Sequence, residues 1–193
     1  MTTKPQVESG ANGSVPPALD LSADFTGRVK FSAPTDEDMV VLAALRSGSG
    51  PWKERGEQPA ESMEALTKLR PYISIGKVDN VAVGYVTVER DGPVPGASYM
   101  RNIVVKSELR KKGIGKQLLD RAISVARDMN RKTLALRVDP ANSSAVSFYR
   151  ANGFTTVATV VSKKSGKLRL LMSREQEGAC PRHWTCRKTS RGE

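Results

Sequence analysis

Ile103-Val-Val-Lys-Ser-Glu-Leu-Arg110-Lys-Lys-Gly113-Ile-Gly115-Lys-Gln-Leu-Leu119 reads as the end of a strand, a basic loop and the opening of a helix. Ile103, Val104 and Val105 close a strand expected over Ser98–Val105. After the loop, Ile114, Leu118, Leu119, Ala122, Ile123, Val125, Ala126 and Met129 recur at helical spacing, which predicts a helix over Gly113–Asn130. The first turn of a helix has N–H groups without intrahelical acceptors, and its dipole favours an anion there. Gly113 and Gly115 carry no Cβ, so an anion can come close to the backbone. Arg110, Lys111, Lys112 and Lys116 gather positive charge around the same point. This is chemistry for a pyrophosphate.

Outward from this stretch the chain divides into short regular elements. Upstream, Arg28–Ser32 alternates as a strand. Thr35 then caps a helix whose first turn holds Asp36, Glu37 and Asp38 and which runs to about Ser47. Gly48–Pro59 reads as a loop, Ala60–Leu69 as a second helix, and Tyr72–Val78 with Val81–Arg90 as a hairpin turning at Asp79-Asn80. Downstream, Thr133–Val138 is a strand, and Ser143–Ala151 is a helix stopped by Asn152-Gly153. Phe154–Val161 and Lys167–Met172 form a last hairpin. The order implies an α/β fold with a mixed, mostly antiparallel central sheet of six to seven strands flanked by helices.

Two nucleotide-binding patterns fail on the glycine loop. A dinucleotide fold calls for a third glycine where Leu118 stands, and a P-loop calls for Ser or Thr where Gln117 stands. The loop instead resembles the GNAT superfamily of N-acetyltransferases, which carries Arg/Gln-x-x-Gly-x-Gly/Ala between its fourth strand and third helix. Here that is Arg110-Lys-Lys-Gly113-Ile-Gly115. A second family block follows at the right distance, Leu136-Arg-Val138-Asp-Pro-Ala-Asn142-Ser-Ser-Ala145-Val-Ser-Phe-Tyr149-Arg-Ala-Asn-Gly153-Phe154. Together the blocks cover about Ser98–Phe154, the cofactor half of that fold.

The resemblance implies acetyl-CoA as cosubstrate and an amine as acceptor. Acetyl transfer requires a polarised thioester carbonyl, an amine that loses a proton and a stabilised leaving thiolate. By resemblance, a gap between the fourth and fifth strands holds the pantetheine arm, with Ile103, Val104 and Val105 along it and the Val105 N–H toward the carbonyl. Arg110, Lys111, Lys112, Gly113, Ile114, Gly115 and Lys116 would bind the pyrophosphate. Asn142 would reach the arm or cap its helix, and Tyr149 corresponds to the general acid. The family's general base has no counterpart: the two strand positions where relatives place Glu are Arg101 and Arg137, and guanidinium is no base. Glu89, Asp139, Glu54, Glu57 or water remain for that step, as does an amine that arrives neutral. Arg101 and Arg137 could instead pair with an anionic group on the acceptor.

Charge is unevenly spread over the 193 residues. Met1–Asp91 holds 10 Lys+Arg and 13 Asp+Glu, net −3, and the remainder holds 21 and 7, net +14. A basic half suits a phosphate-bearing ligand. Nucleic acid is disfavoured, because aromatics for base stacking are not interleaved with the charge. No apolar run is long enough to span a bilayer, and the first twenty residues lack signal-peptide character, so a cytoplasmic protein is expected. Residues 1–24 read as a flexible leader, 25–174 as the acetyltransferase domain and 175–193 as a disordered basic tail. Cys180, His183 and Cys186 in the tail are one ligand short of a structural zinc site, so no metal is expected. The acceptor is expected to be a small-molecule amine. A protein or peptide acceptor, a non-catalytic acyl-CoA-binding module and a homodimer stay open.

Overall fold

The computed structural model describes residues 28–162 and 165–176. The expected leader, the expected tail beyond residue 176, and with it Cys180, His183, Trp184 and Cys186 lie outside the described residues. The elements are β1 (Lys30–Ser32), α1 (Asp36–Ser47), α2 (Gly50–Glu54), α3 (Pro59–Leu69), β2 (Ile73–Val78), β3 (Val81–Glu89), β4 (Ser98–Val105), α4 (Ile114–Asp128), β5 (Thr133–Val138), α5 (Ser143–Ala151), β6 (Thr155–Val161) and β7 (Leu168–Glu175).

Local chemistry accounts for the boundaries. Thr35 Oγ1 accepts from the Asp38 N–H while the Asp38 carboxylate accepts from the Thr35 N–H, a reciprocal cap that starts α1. Asn142 Oδ1 accepts from the Ala145 N–H and starts α5. The segment read as a loop over Gly48–Pro59 contains the short helix α2, opened by Pro51 in its first turn, where a missing N–H removes nothing. The last hairpin runs three residues further than its apolar pattern, because Ser173, Arg174 and Glu175 pair with Ala135, Leu134 and Thr133.

The strands form one seven-stranded sheet in the order β1-β2-β3-β4-β5-β7-β6. Every neighbouring pair is antiparallel except β4 and β5. That parallel pairing is confined to Ser98–Met100 against Leu134–Leu136. Beyond it Arg101–Val105 and Arg137–Val138 have no pairing with each other, so the sheet parts there. A bulge at Thr87/Val88 leaves Arg101 as the extra residue of β4 at the start of the parting.

Each face of the sheet has its own core. Val86, Met100, Leu134 and Leu136 pack with Leu118 and Ala122 of α4, and Tyr149 and Phe154 join the same cluster. On the other face, Ile75, Tyr85 and Val104 pack with Leu42 of α1 and Leu66 of α3. Alternation along β4 and β5 therefore assigns Tyr99, Asn102 and Arg137 to the face carrying α1 and α3.

Candidate active site

The phosphate-loop residues come together at one end of the parting. Gly113 heads α4 with φ +78° and no side-chain cap, and no atom lies within 4 Å of where a Cβ would stand. Lys111 also takes a left-handed conformation, φ +62°. Strained backbone and open space at a helix start make a cradle for an anion. Arg110 and Lys111 are exposed beside it. Lys116 leans away along α4 to Asp120 at 2.5 Å, so its charge is shared with a carboxylate. Gly115 fixes the convergence of three elements: a Cβ there would be 3.8 Å from the Phe148 ring of α5 and 3.9 Å from the Val105 side chain of β4. The start of α4, the end of β4 and the middle of α5 thus meet at the gap, and the donors of this cradle fit the pyrophosphate of coenzyme A.

Tyr149 lies beside that junction. Its ring packs against Phe148 at 5.4 Å and Phe154 at 5.7 Å. Burial pushes its phenol well above the ordinary tyrosine range, and the Tyr99 phenol adds to the rise. Tyr149 therefore holds its proton throughout the neutral range, as a proton donor must. Asn142 spends its Oδ1 on capping α5, where it also accepts from Ser144 Oγ at 3.0 Å.

The two arginines take up related positions. Met100 and Leu136 are the last paired residues of β4 and β5, so Arg101 and Arg137 follow immediately on either lip of the parting. Both are exposed. They differ in partnership. Arg101 is bound by Glu89, with Nη2–Oε2 at 2.7 Å and Nε–Oε2 at 2.9 Å, and it lies 5.6 Å from the centroid of the Tyr99 ring. Arg137 makes no hydrogen bond or ion pair among the described residues. Its charge acts on Tyr99: burial raises that phenol, and Arg137, then Arg101, oppose the rise. Tyr99 went unnoticed in the sequence, where one aromatic in a strand signals only packing.

The carboxylates weighed as general bases are mostly engaged. Glu89 is held by Arg101. Asp139 accepts from Arg169 at 2.6 Å and from the Ala141 N–H at 3.0 Å. Glu57 accepts from Arg46 Nε at 2.7 Å and from Ser62 Oγ at 2.7 Å. Burial alone would raise the Glu57 carboxyl, but these two hydrogen bonds and the Arg46 charge outweigh it and hold the group below the usual range. The Arg46 guanidinium also lies 4.7 Å from the centroid of the Trp52 ring. Glu54 remains exposed at the end of α2. Among the described residues, no group of three or more His, Cys, Asp or Glu side chains is arranged to hold a metal. No helix among them is long and apolar enough to cross a membrane.

Comparison with known proteins bears on the family and the fold. The Acetyltransferase (GNAT) family model matches residues 40–154, more than half of the chain. GCN5-related N-acetyltransferase 4, chloroplastic, of Arabidopsis thaliana is 31% identical over 72 residues, which is 35% of this chain and 25% of that protein. The chain thus spans about a quarter of the length of that curated relative. Among solved structures, the ribosomal-protein-S18-alanine N-acetyltransferase of Escherichia coli superimposes with a TM-score of 0.61 at 15% identity, over 82% of this chain and 100% of that one. A putative acetyltransferase from Salmonella typhimurium, solved with its cofactor acetyl-CoA, gives a TM-score of 0.60 at 15% identity, over 81% of this chain and 99% of that one. At such identities the likeness is one of fold.

Proposed function

This chain belongs to the Acetyltransferase (GNAT) family, and on that premise we propose that it transfers an acetyl group from acetyl-CoA to the primary amine of a small molecule that also bears an anionic group. The observation that carries the reading is the gap between β4 and β5, opening beside the Gly113 cradle at one end and the unpaired Arg137 at the other. Acetyl-CoA supplies an activated thioester. The chain's own residues do the rest. The N–H groups at the head of α4, with Arg110, Lys111 and Lys112, hold the pyrophosphate. Gly115 leaves room for the arm to pass Phe148 and Val105. The Val105 N–H polarises the carbonyl, and the Tyr149 O–H protonates the departing sulfur.

The amine's proton is the remaining step. Three of the four carboxylates weighed for it are held in ion pairs by Arg101, Arg46 and Arg169. A paired carboxylate is a weak base. An acceptor whose ammonium is already acidic suits this site, and α-amino groups, with reference pKa values of about 7.7–8.0, are far more acidic than lysine ammonium at about 10.4. Arg137 favours the same outcome, since a nearby positive charge disfavours the ammonium form. It would pair with the acceptor's carboxylate while its field helps the amine shed its proton to water.

The test is release of free thiol from acetyl-CoA with a panel of amines, together with calorimetry of coenzyme A binding. Turnover with carboxylate-bearing α-amines above polycationic amines supports the reading. Preference for polycations, or coenzyme A binding without turnover of any amine, overturns it.

A further inference from the structure

Under the edge of α1 and α3 the sheet contains a polar pair that the chemistry above does not use. Thr87 of β3 and Asn102 of β4 stand directly opposite each other in the antiparallel ladder. Both are buried, Thr87 completely. Thr87 Oγ1 and Asn102 Nδ2 are each out of solvent without a hydrogen-bond partner. Opposed residues have Cβ atoms about 4.5–5.5 Å apart, near enough for a hydroxyl and a carboxamide to bond. These two do not bond each other. An orphaned buried polar atom costs about 1–3 kcal/mol, so two orphans facing one another leave hydrogen-bonding capacity that a third polar group can satisfy.

Their place in the fold says which molecule could supply it. Two residues one way along β3 lies Tyr85, sealed in the apolar layer with Val104. Two residues the other way lies Glu89, at the polar end with Tyr99 and Arg101. The pair therefore sits on the boundary between the helix-covered sheet and the lip of the parting, on the same face as Arg137. The ligand group must be neutral. The Glu89 carboxylate beside the pair is already matched by Arg101, and burying an uncompensated charge there is strongly unfavourable.

We infer that Thr87 and Asn102 form a specificity subsite for a neutral hydrogen-bonding group, a hydroxyl or a carboxamide, carried by the acceptor near its amine. The inference rests on the acetyl-transfer reading and deepens it by naming the acceptor's side group. A site built to bond such a group rejects an apolar isostere, because the isostere leaves the buried atoms unpaired.

Two isosteric pairs of amines test it: serine against 2-aminobutyrate, and asparagine against leucine, assayed with wild type, Thr87→Val and Asn102→Leu. In wild type kcat/KM should favour the polar member by roughly tenfold or more, the worth of about one buried hydrogen bond. Thr87→Val removes the hydroxyl at nearly constant shape and should shrink the preference to about twofold or less, with coenzyme A affinity unchanged. Should Asn102→Leu fail to fold, Thr87→Val decides alone. Equal use of both members by wild type, or an undiminished preference in Thr87→Val, overturns the subsite. Calorimetric binding of the same four amines to the coenzyme A complex separates the two readings. If no amine is turned over, acetyl transfer fails. If serine and asparagine then still bind more tightly than their isosteres and Thr87→Val abolishes the difference, the subsite stands, and otherwise it fails too.

Discussion

Arg101 gives both Nη2 and Nε to a single oxygen of Glu89, at 2.7 and 2.9 Å, across adjacent antiparallel strands. Arg137 stands on the facing lip of the parting with no such partner among the described residues. Two arginines that look equivalent in sequence are thus unequal as ligands for an anion. An incoming carboxylate finds the Arg101 charge already matched by Glu89, whereas Arg137 offers all its donors directly.

The first prediction follows from that inequality. Arg137→Ala should lower kcat/KM for carboxylate-bearing amines by about 10–100-fold, the worth of one or two hydrogen bonds to a charged group. Arg101→Ala should do so by less. Steady-state kinetics on matched amines with carboxylate or carboxamide ends give the measurement. Equal losses in the two variants would place both arginines on the acceptor.

Gly115 provides the cleaner probe of the cofactor cradle. Gly113 has φ +78°, so any side chain there is strained at about 1–2 kcal/mol. At Gly115 an added Cβ meets only ordinary contacts with Phe148 and Val105. Gly115→Glu should fold, as judged by circular dichroism, yet lose coenzyme A affinity by at least roughly 100-fold through bulk and negative charge at an anion site. Retained affinity in the folded variant would remove the pyrophosphate from this loop.

Tyr149→Phe keeps the packing against Phe148 and Phe154 and deletes the proton. Loss of a general acid should reduce kcat by about 10²–10⁴-fold with acetyl-CoA binding little changed. The pH dependence carries a second signature. The native phenol is raised above the unfolded value of 10.0. Its stabilising contribution is complete below that value and is lost as pH rises through the native one, where the unfolded chain ionises first. Urea midpoints of Tyr149→Phe should therefore fall less than wild type above about pH 10.

Glu57 lies at the centre of a partly buried knot, bonded to Arg46 and Ser62 with the Trp52 ring close to the guanidinium. Glu57→Ala leaves the Arg46 charge without its carboxylate and should destabilise the fold by about 1–3 kcal/mol. The lowered native pKa gives stability present above the unfolded pKa and lost as pH falls through the native one. Acid titration of stability should thus be shallower in the variant, measured by denaturant unfolding between neutral pH and about pH 3.

Much of this molecule could be read from residues alone, and the exceptions share a cause. The helix of Ile114–Asp128 and the strand of Ser98–Val105 follow from periodicity, and both were expected within two residues of where they lie. The cradle was visible because glycine and charge act locally. The state of Arg101 was not, because Glu89 is twelve residues away and reaches it only once β3 and β4 pair. Thr87 and Asn102 did leave a trace: each interrupts an apolar alternation on a strand destined for burial. That trace gains meaning only when the register sets the two face to face. The helix α2 escaped because five residues are too few for a period to show.

The short pairing of β4 with β5 has a mechanical consequence. Three residue pairs are the whole of the backbone pairing between the four-stranded plate β1–β4 and the three-stranded plate β5–β7, with α4 packed across the join. That seam is the weakest joint inside the sheet, and local opening favours joints with few bonds. A ligand arm lying in the slot touches both plates and stitches them, so amide exchange at Tyr99 and Ala135 should slow when coenzyme A is added, more than anywhere in the middle of either plate.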